Sequence, residues 1–79
     1  MTREEIYQAL DEVFCDIFDD DSIHVCAETT ANDIEEWDSL EHINLVVAIE
    51  RRFHVKFTMK EVTGMQNVGE MVDIILARS

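Results

Sequence analysis

The sequence predicts an all-α fold: a small four-helix bundle of three longer helices and one short one, with a long loop between the first two. Three observations carry this reading. The 79 residues include no proline and only two glycines, Gly64 and Gly69, too few punctuating residues for a turn-rich sheet protein. Apolar residues recur at helical spacing in separate stretches. Four of those stretches open on a Thr, Asp or Asn followed three residues later by Glu. At such a start the cap side chain accepts an orphaned backbone N–H, and the glutamate places negative charge at the positive end of the helix.

The first helix begins after Thr2, with Glu5 completing the box, and Ile6, Leu10, Val13, Phe14, Ile17 and Phe18 keep the helical period. The connection that follows, DDDSIHVCAETTANDIEEW, is long for a structureless loop in so small a domain. Ile23, Val25 and Ile34 are expected to pin it to the bundle, and NDIEEW to add a brief helical turn. Asp38 with Glu41 opens the second helix by the same device. Thr58 with Glu61 opens the short third helix, which Gly64 is placed to close. Asn67 with Glu70 opens the fourth, whose apolar face is Val68, Met71, Val72, Ile75 and Leu76. Neither a repeat nor a low-complexity tract divides the chain, so residues 1–79 read as one domain.

Eighteen Asp and Glu against six Lys and Arg give a formal charge of −12. A field of that sign repels nucleic acid and anionic lipid and favours partners with basic surfaces. With neither a spanning apolar run nor a secretory signal, the chain is expected to be a cytoplasmic monomer. Cys15 and Cys26 fit no zinc spacing and are expected to be ordinary reduced thiols. His24 and Cys26 lack further well-placed ligands, and Asp19, Asp20 and Asp21 do not open a calcium-loop pattern, so no metal is expected.

The second helix, SLEHINLVVAIERRF, has more apolar surface than a small bundle consumes. At about 100° per residue, Leu45, Val46, Ile49 and Phe53 share one arc and Leu40, Ile43 and Val47 the neighbouring one. Either this is the most buried helix, or the second arc stays exposed as an acid-rimmed docking surface. Ser39 falls at the first helical position, where free amides and the helix dipole favour a bound or attached phosphate. Asp38 and His42 flank it, but the glycine-rich elbow of serine hydrolases is missing, and nothing arranges a base to activate the hydroxyl.

The stretch DSLEHINLVVAIERRF resembles the second helix of acyl carrier proteins, with their Asp-Ser-Leu motif. The likeness continues through VKFTMKEVTGMQNVGEMVDIIL and takes in the first helix and the long loop. It implies that Ser39 bears a 4'-phosphopantetheine arm taken from coenzyme A by a phosphopantetheinyl transferase, with Asp38 as motif and cap residue. It implies a non-catalytic carrier that holds acyl groups as thioesters. An acyl-loading ligase or transferase would charge it, and synthase-type enzymes with basic docking patches would use it in fatty-acid, polyketide or related specialised lipid synthesis. Leu40, Glu41, Ile43 and Val47 are then the docking candidates. Leu45, Val46, Ile49, Phe53, Phe57, Met65, Val72 and Ile75 are candidate walls of an acyl pocket, with plain core packing as the competing role of each.

Three features depart from the family pattern. Arg51 and Arg52 stand where acids are usual, Trp37 precedes the motif in place of a small residue, and His42 faces the inner stripe near the arm. His42 either tunes the pocket mouth or is a structural histidine. An aminoacyl, peptidyl or D-alanyl carrier is the alternative within the same chemistry. An acidic helical adaptor without an arm is the alternative outside it, and the intact Asp38-Ser39-Leu40 motif speaks against that.

Overall fold

The computed structural model describes residues 1–78, and it is helical throughout with no strand among them. The elements are α1 (Arg3–Phe18), a 3-10 turn (Ala31–Asp33), α2 (Ser39–Phe53), α3 (Met59–Gly64) and α4 (Val68–Arg78). No helix among the described residues is long and apolar enough to cross a membrane.

All four helices start where the caps place them, though only two close the full box. Thr2 and Thr58 each accept the amide of Glu5 or Glu61 and receive the glutamate carboxylate on their own N–H. Asp38 accepts the Glu41 amide at 2.8 Å, but its own N–H already bonds the Glu36 carbonyl, so Glu41 turns to Asn44 instead. Asn67 accepts the Glu70 amide at 2.9 Å, and Glu70 reaches one residue further back, to the amide of Gln66. Glu70 therefore anchors the turn before α4.

Helix ends follow a rule that the glycines do not reveal. Gly64 is the last residue of α3 rather than its left-handed terminator. Neither glycine has positive φ, and Met65 ends the helix in extended conformation. The left-handed caps belong instead to Asp19 (φ 51°) after α1 and His54 (φ 56°) after α2. The backbone of L residues pays a steric cost there that glycine avoids.

The core forms where α1, α2 and α4 face each other. Ile6, Leu10 and Phe14 of α1, Leu45 and Ile49 of α2, and Val68, Val72 and Ile75 of α4 are fully buried. Phe14, Phe18 and Trp37 pack as an aromatic group, with Phe14 and Trp37 edge to face at 5.2 Å between centroids. The long connection is held as predicted: Val25 and Ile34 are buried, and Ile23 packs against the cluster. Half-buried Asp11 accepts the Val25 amide at 2.7 Å. The helical turn expected over NDIEEW (residues 32–37) lies earlier: the 3-10 turn spans Ala31–Asp33 and shares only Asn32 and Asp33 with that stretch.

This loop is strapped to the start of α4. The Val68 amide bonds the Thr29 carbonyl at 2.9 Å and the Gly69 amide bonds the Ala27 carbonyl at 3.0 Å. Two orphan donors of α4 are satisfied in this way. Gly69 makes the approach feasible, because a Cβ there would stand 3.1 Å from that carbonyl oxygen and 3.2 Å from the Ala27 Cβ. Arg78 ties the other end of α4 to α3. Its guanidinium meets the Glu61 carboxylate through two bonds of 2.6 Å and also reaches the Lys56 carbonyl. The Arg78 guanidinium, together with the Thr58 amide, holds the Glu61 carboxyl at about 2.

Candidate functional site

Ser39 is the first residue of α2 and lies exposed. Its hydroxyl has no hydrogen-bond partner among the described residues. Asp38 is extended (φ −103°), and its carboxylate is engaged in capping the Glu41 amide. That geometry answers the question of a triad. The aspartate orients the helix start, and the neighbouring imidazole is committed elsewhere.

Both ring nitrogens of His42 are in use. The Trp37 indole Nε1–H donates to His42 Nδ1 at 3.0 Å, and His42 Nε2 lies 2.9 Å from the Val62 carbonyl oxygen. The two rings also stack, 5.9 Å apart with 26° between planes. A half-buried imidazole tied at both nitrogens is no free base for the serine.

Ser39 opens onto a cleft of about 390 Å³ between the start of α2, α3 and the start of α4. Asp38, Ser39, His42 and Ile43 line it from α2 and its cap, with Trp37 beside them. Val62 and Thr63 of α3 form the facing wall, and Met65, Gln66, Asn67 and Met71 close the far side.

The docking candidates divide by exposure. Leu40, Ile43 and Val47 are 70%, 48% and 42% exposed, which is unusual for apolar side chains on a helix whose other face is core. Glu41 is half-buried beside them and accepts from Asn44. Ile43 belongs to both surfaces, since it also lines the cleft. Arg51 lies on the helical line of Leu40, Asn44 and Val47, and it has no ion-pair partner among the described residues. Arg52, by contrast, pairs with Glu12 at 2.9 Å. Met59, at the start of α3 and 72% exposed, is an apolar surface residue that the α2 pattern did not point to.

Of the eight pocket-wall candidates, only Met65 lines the cleft. Leu45, Val46, Ile49, Phe53, Val72 and Ile75 are buried, and Phe57 is half-buried against the core. Residues that sequence reasoning did not assign to the cleft supply the rest of it, chiefly Val62, Thr63, Gln66, Asn67 and Met71. The capping aspect of Asn67 was legible, but its position opposite Ser39 depends on how α4 docks.

The surroundings of Cys15 disfavour its thiolate. Cys15 is half-buried with its Sγ 3.5 Å from the Ile23 carbonyl, and burial together with nearby Asp21, Asp11 and Asp20 pushes its pKa up. Cys26 is exposed, and both cysteines are free. No group of three metal-ligating side chains forms among the described residues.

Comparison with known proteins agrees with this arrangement. Residues 8–75 match the family described as phosphopantetheine attachment site. The chain is 32% identical over 75 residues to the acyl carrier protein of Acidothermus cellulolyticus, covering 95% of this chain and 89% of that protein. It is 30% identical over 76 residues to that of Rubrobacter xylanophilus, covering 96% of this chain and 94% of that protein. Its fold superposes on the solution NMR structure of the holo acyl carrier protein from Geobacter metallireducens with a TM-score of 0.85 and 43% identity, over 91% of this chain and 83% of that one. The prosthetic group of the family is phosphopantetheine, and an exposed serine hydroxyl at the start of α2, beside a cleft, fits its covalent attachment. With its fold, its matched region and its relatives in agreement, the chain belongs to the acyl carrier proteins of the phosphopantetheine attachment family.

Proposed function

We propose that Ser39 is the residue that carries the 4'-phosphopantetheine arm, and that the protein presents acyl thioesters on it to enzymes of fatty-acid, polyketide or related specialised lipid synthesis. The observation that supports this most directly is the Ser39 hydroxyl itself: exposed, unpartnered, at a helix N-terminus and at the mouth of a cleft. A phosphopantetheinyl transferase can approach it, and the α2 amides and dipole suit the phosphodiester that results. Asp38 fixes the start of the helix and so the direction of the hydroxyl.

The protein acts as a carrier and performs no catalysis of its own. Its partners read α2, where Leu40, Ile43 and Val47 offer apolar contact and Glu41 sits at their edge. The net charge of −12 supports partners with basic docking patches, which such a field attracts and orients. The acyl group enters the cleft beside Ser39, against Ile43, Met65 and Met71.

The test is intact mass after incubation with coenzyme A and a broad-specificity phosphopantetheinyl transferase, beside Ser39→Ala. A gain of one phosphopantetheine that is lost in the variant is the expected result. A gain that persists in the variant would move the attachment to another residue. No gain with transferases active on a control carrier would make the chain an arm-less adaptor.

A further inference from the structure

We infer that His42 is a specificity-determining residue of the cleft: as the neutral tautomer protonated at Nε2, it bridges Trp37 to Val62 and closes the α2–α3 seam at the cleft floor. The hydrogen-bond chemistry leaves one assignment. An indole N–H only donates, so Nδ1, 3.0 Å away, must be bare. A carbonyl only accepts, so Nε2, 2.9 Å from the Val62 oxygen, must carry the hydrogen. Val62 lies in the last turn of a six-residue helix, where carbonyls lack intrahelical donors, and the imidazole supplies one.

The position of this bridge decides what lies beyond it. The cleft takes its α2 wall from the first turn, through His42 and Ile43, and goes no deeper. Val46, one turn further along the same face, is buried but does not line it. Val46 and Val62 are both buried yet stand outside the main core cluster. An acyl group on Ser39 (this rests on the carrier reading) occupies the cleft while the bridge is intact. A longer chain reaches Val46 and Ile49 only when the His42–Val62 bond opens and α3 moves aside. The arrangement favours short acyl groups and makes His42 the residue that sets the limit.

The experiment begins with long-range proton–nitrogen correlation of the imidazoles, which is expected to show Nδ1 bare and Nε2 protonated in His42. The opposite tautomer overturns the proposal. Apo protein is then loaded by a broad-specificity transferase with butyryl- or dodecanoyl-coenzyme A, and intact mass reports loading. Failure to load refutes the carrier reading, a result distinct from failure of the bridge. In loaded wild-type protein, butyryl contacts are expected at Ile43 and Met65 with exchange of the His42 Nε2 proton unchanged. Dodecanoyl contacts at Val46 are expected only together with faster exchange of that proton. Dodecanoyl contacts at Val46 with that proton still protected overturn the proposal, and this arm needs no variant. His42→Ala is expected to speed indole exchange by about 2- to 10-fold, the loss of roughly one hydrogen bond. It is also expected to slow hydroxylamine cleavage of the dodecanoyl thioester several-fold while leaving butyryl cleavage unchanged. His42→Gln, which keeps a donor and an acceptor, is expected to restore wild-type behaviour. If the two variants behave alike, packing rather than the bridge sets the limit.

Discussion

Replacing each glycine by alanine has opposite expected effects, and the difference can be worked out from the backbone. At Gly64, the last residue of α3 and with negative φ, an added Cβ meets nothing within 4 Å. Alanine there loses less chain entropy on folding and stabilises by about 0.5–1 kcal/mol. At Gly69 the same helix-propensity gain of about 1 kcal/mol is available. It is opposed by contacts of 3.1 Å to the Ala27 oxygen and 3.2 Å to the Ala27 Cβ, closer than ordinary packing. The obstacle is backbone, which cannot rotate away, so the loop must shift by tenths of an ångström. That shift weakens the Val68–Thr29 and Gly69–Ala27 bonds, each worth about 0.5–1.5 kcal/mol, and adds overpacking strain of about 1–3 kcal/mol. The net expectation for Gly69→Ala is a loss of about 1–3 kcal/mol, a large share of the roughly 4–12 kcal/mol available to a chain of this size. Urea titration followed by helical circular dichroism measures both variants. A Gly69→Ala protein as stable as wild type would show that the loop does not rest against α4 as described, and would remove the reason for glycine at that position.

Three further outcomes are expected. Glu61 has its pKa lowered from 4.5 to about 2 by Arg78 and the Thr58 amide, so its contribution is present above about pH 4.5 and is lost as pH falls toward 2. The stability gap between wild type and Glu61→Gln should therefore be widest at neutral pH and shrink across that window, whereas a constant gap would contradict the pairing. Asp19→Gly removes an L residue from φ 51° and a negative charge from the negative end of α1. A gain of about 1 kcal/mol is expected, and thermal unfolding would raise Tm by about 4–8 °C. Trp37→Phe deletes the indole donor, leaves His42 Nδ1 unpaired and opens a small void among Phe14 and Phe18. Its cost is set at about 2–4 kcal/mol, and a urea-derived loss under about 0.5 kcal/mol would mean the Trp37–His42 bond is not formed in solution.

The residues that local chemistry governs were legible in the sequence. Thr2, Asp38, Thr58 and Asn67 each place a helix start, because a cap needs only its own side chain and an amide two or three residues on. The two apolar arcs of α2 also follow from spacing, which is why Leu45 and Ile49 lie inside while Leu40 and Val47 remain exposed. The Asp38-Ser39-Leu40 motif, read in register with those helices, points to the family, and Ser39 is the attachment residue proposed from it.

What the tertiary structure decided depends on groups distant in sequence. Gly64 closes α3 as its last residue but without positive φ, and the left-handed caps fell to Asp19 and His54, residues with no compositional signal for that role. Gly69 matters because Ala27, forty-two residues earlier, lies 3.1–3.3 Å from where a Cβ would stand. The cleft lies between α2, α3 and the start of α4, so its walls include Thr63 and Asn67, and seven of the eight residues that the family resemblance offered as pocket walls pack away from it in or against the interior. Trp37 and His42 were visible as departures from the family pattern. Only the docking of α3 brings the Val62 carbonyl to the imidazole and gives the pair a joint role. Sequence periodicity determines which face of a helix is apolar, and the packing of one helix against another determines whether that face fills the core or borders a cavity.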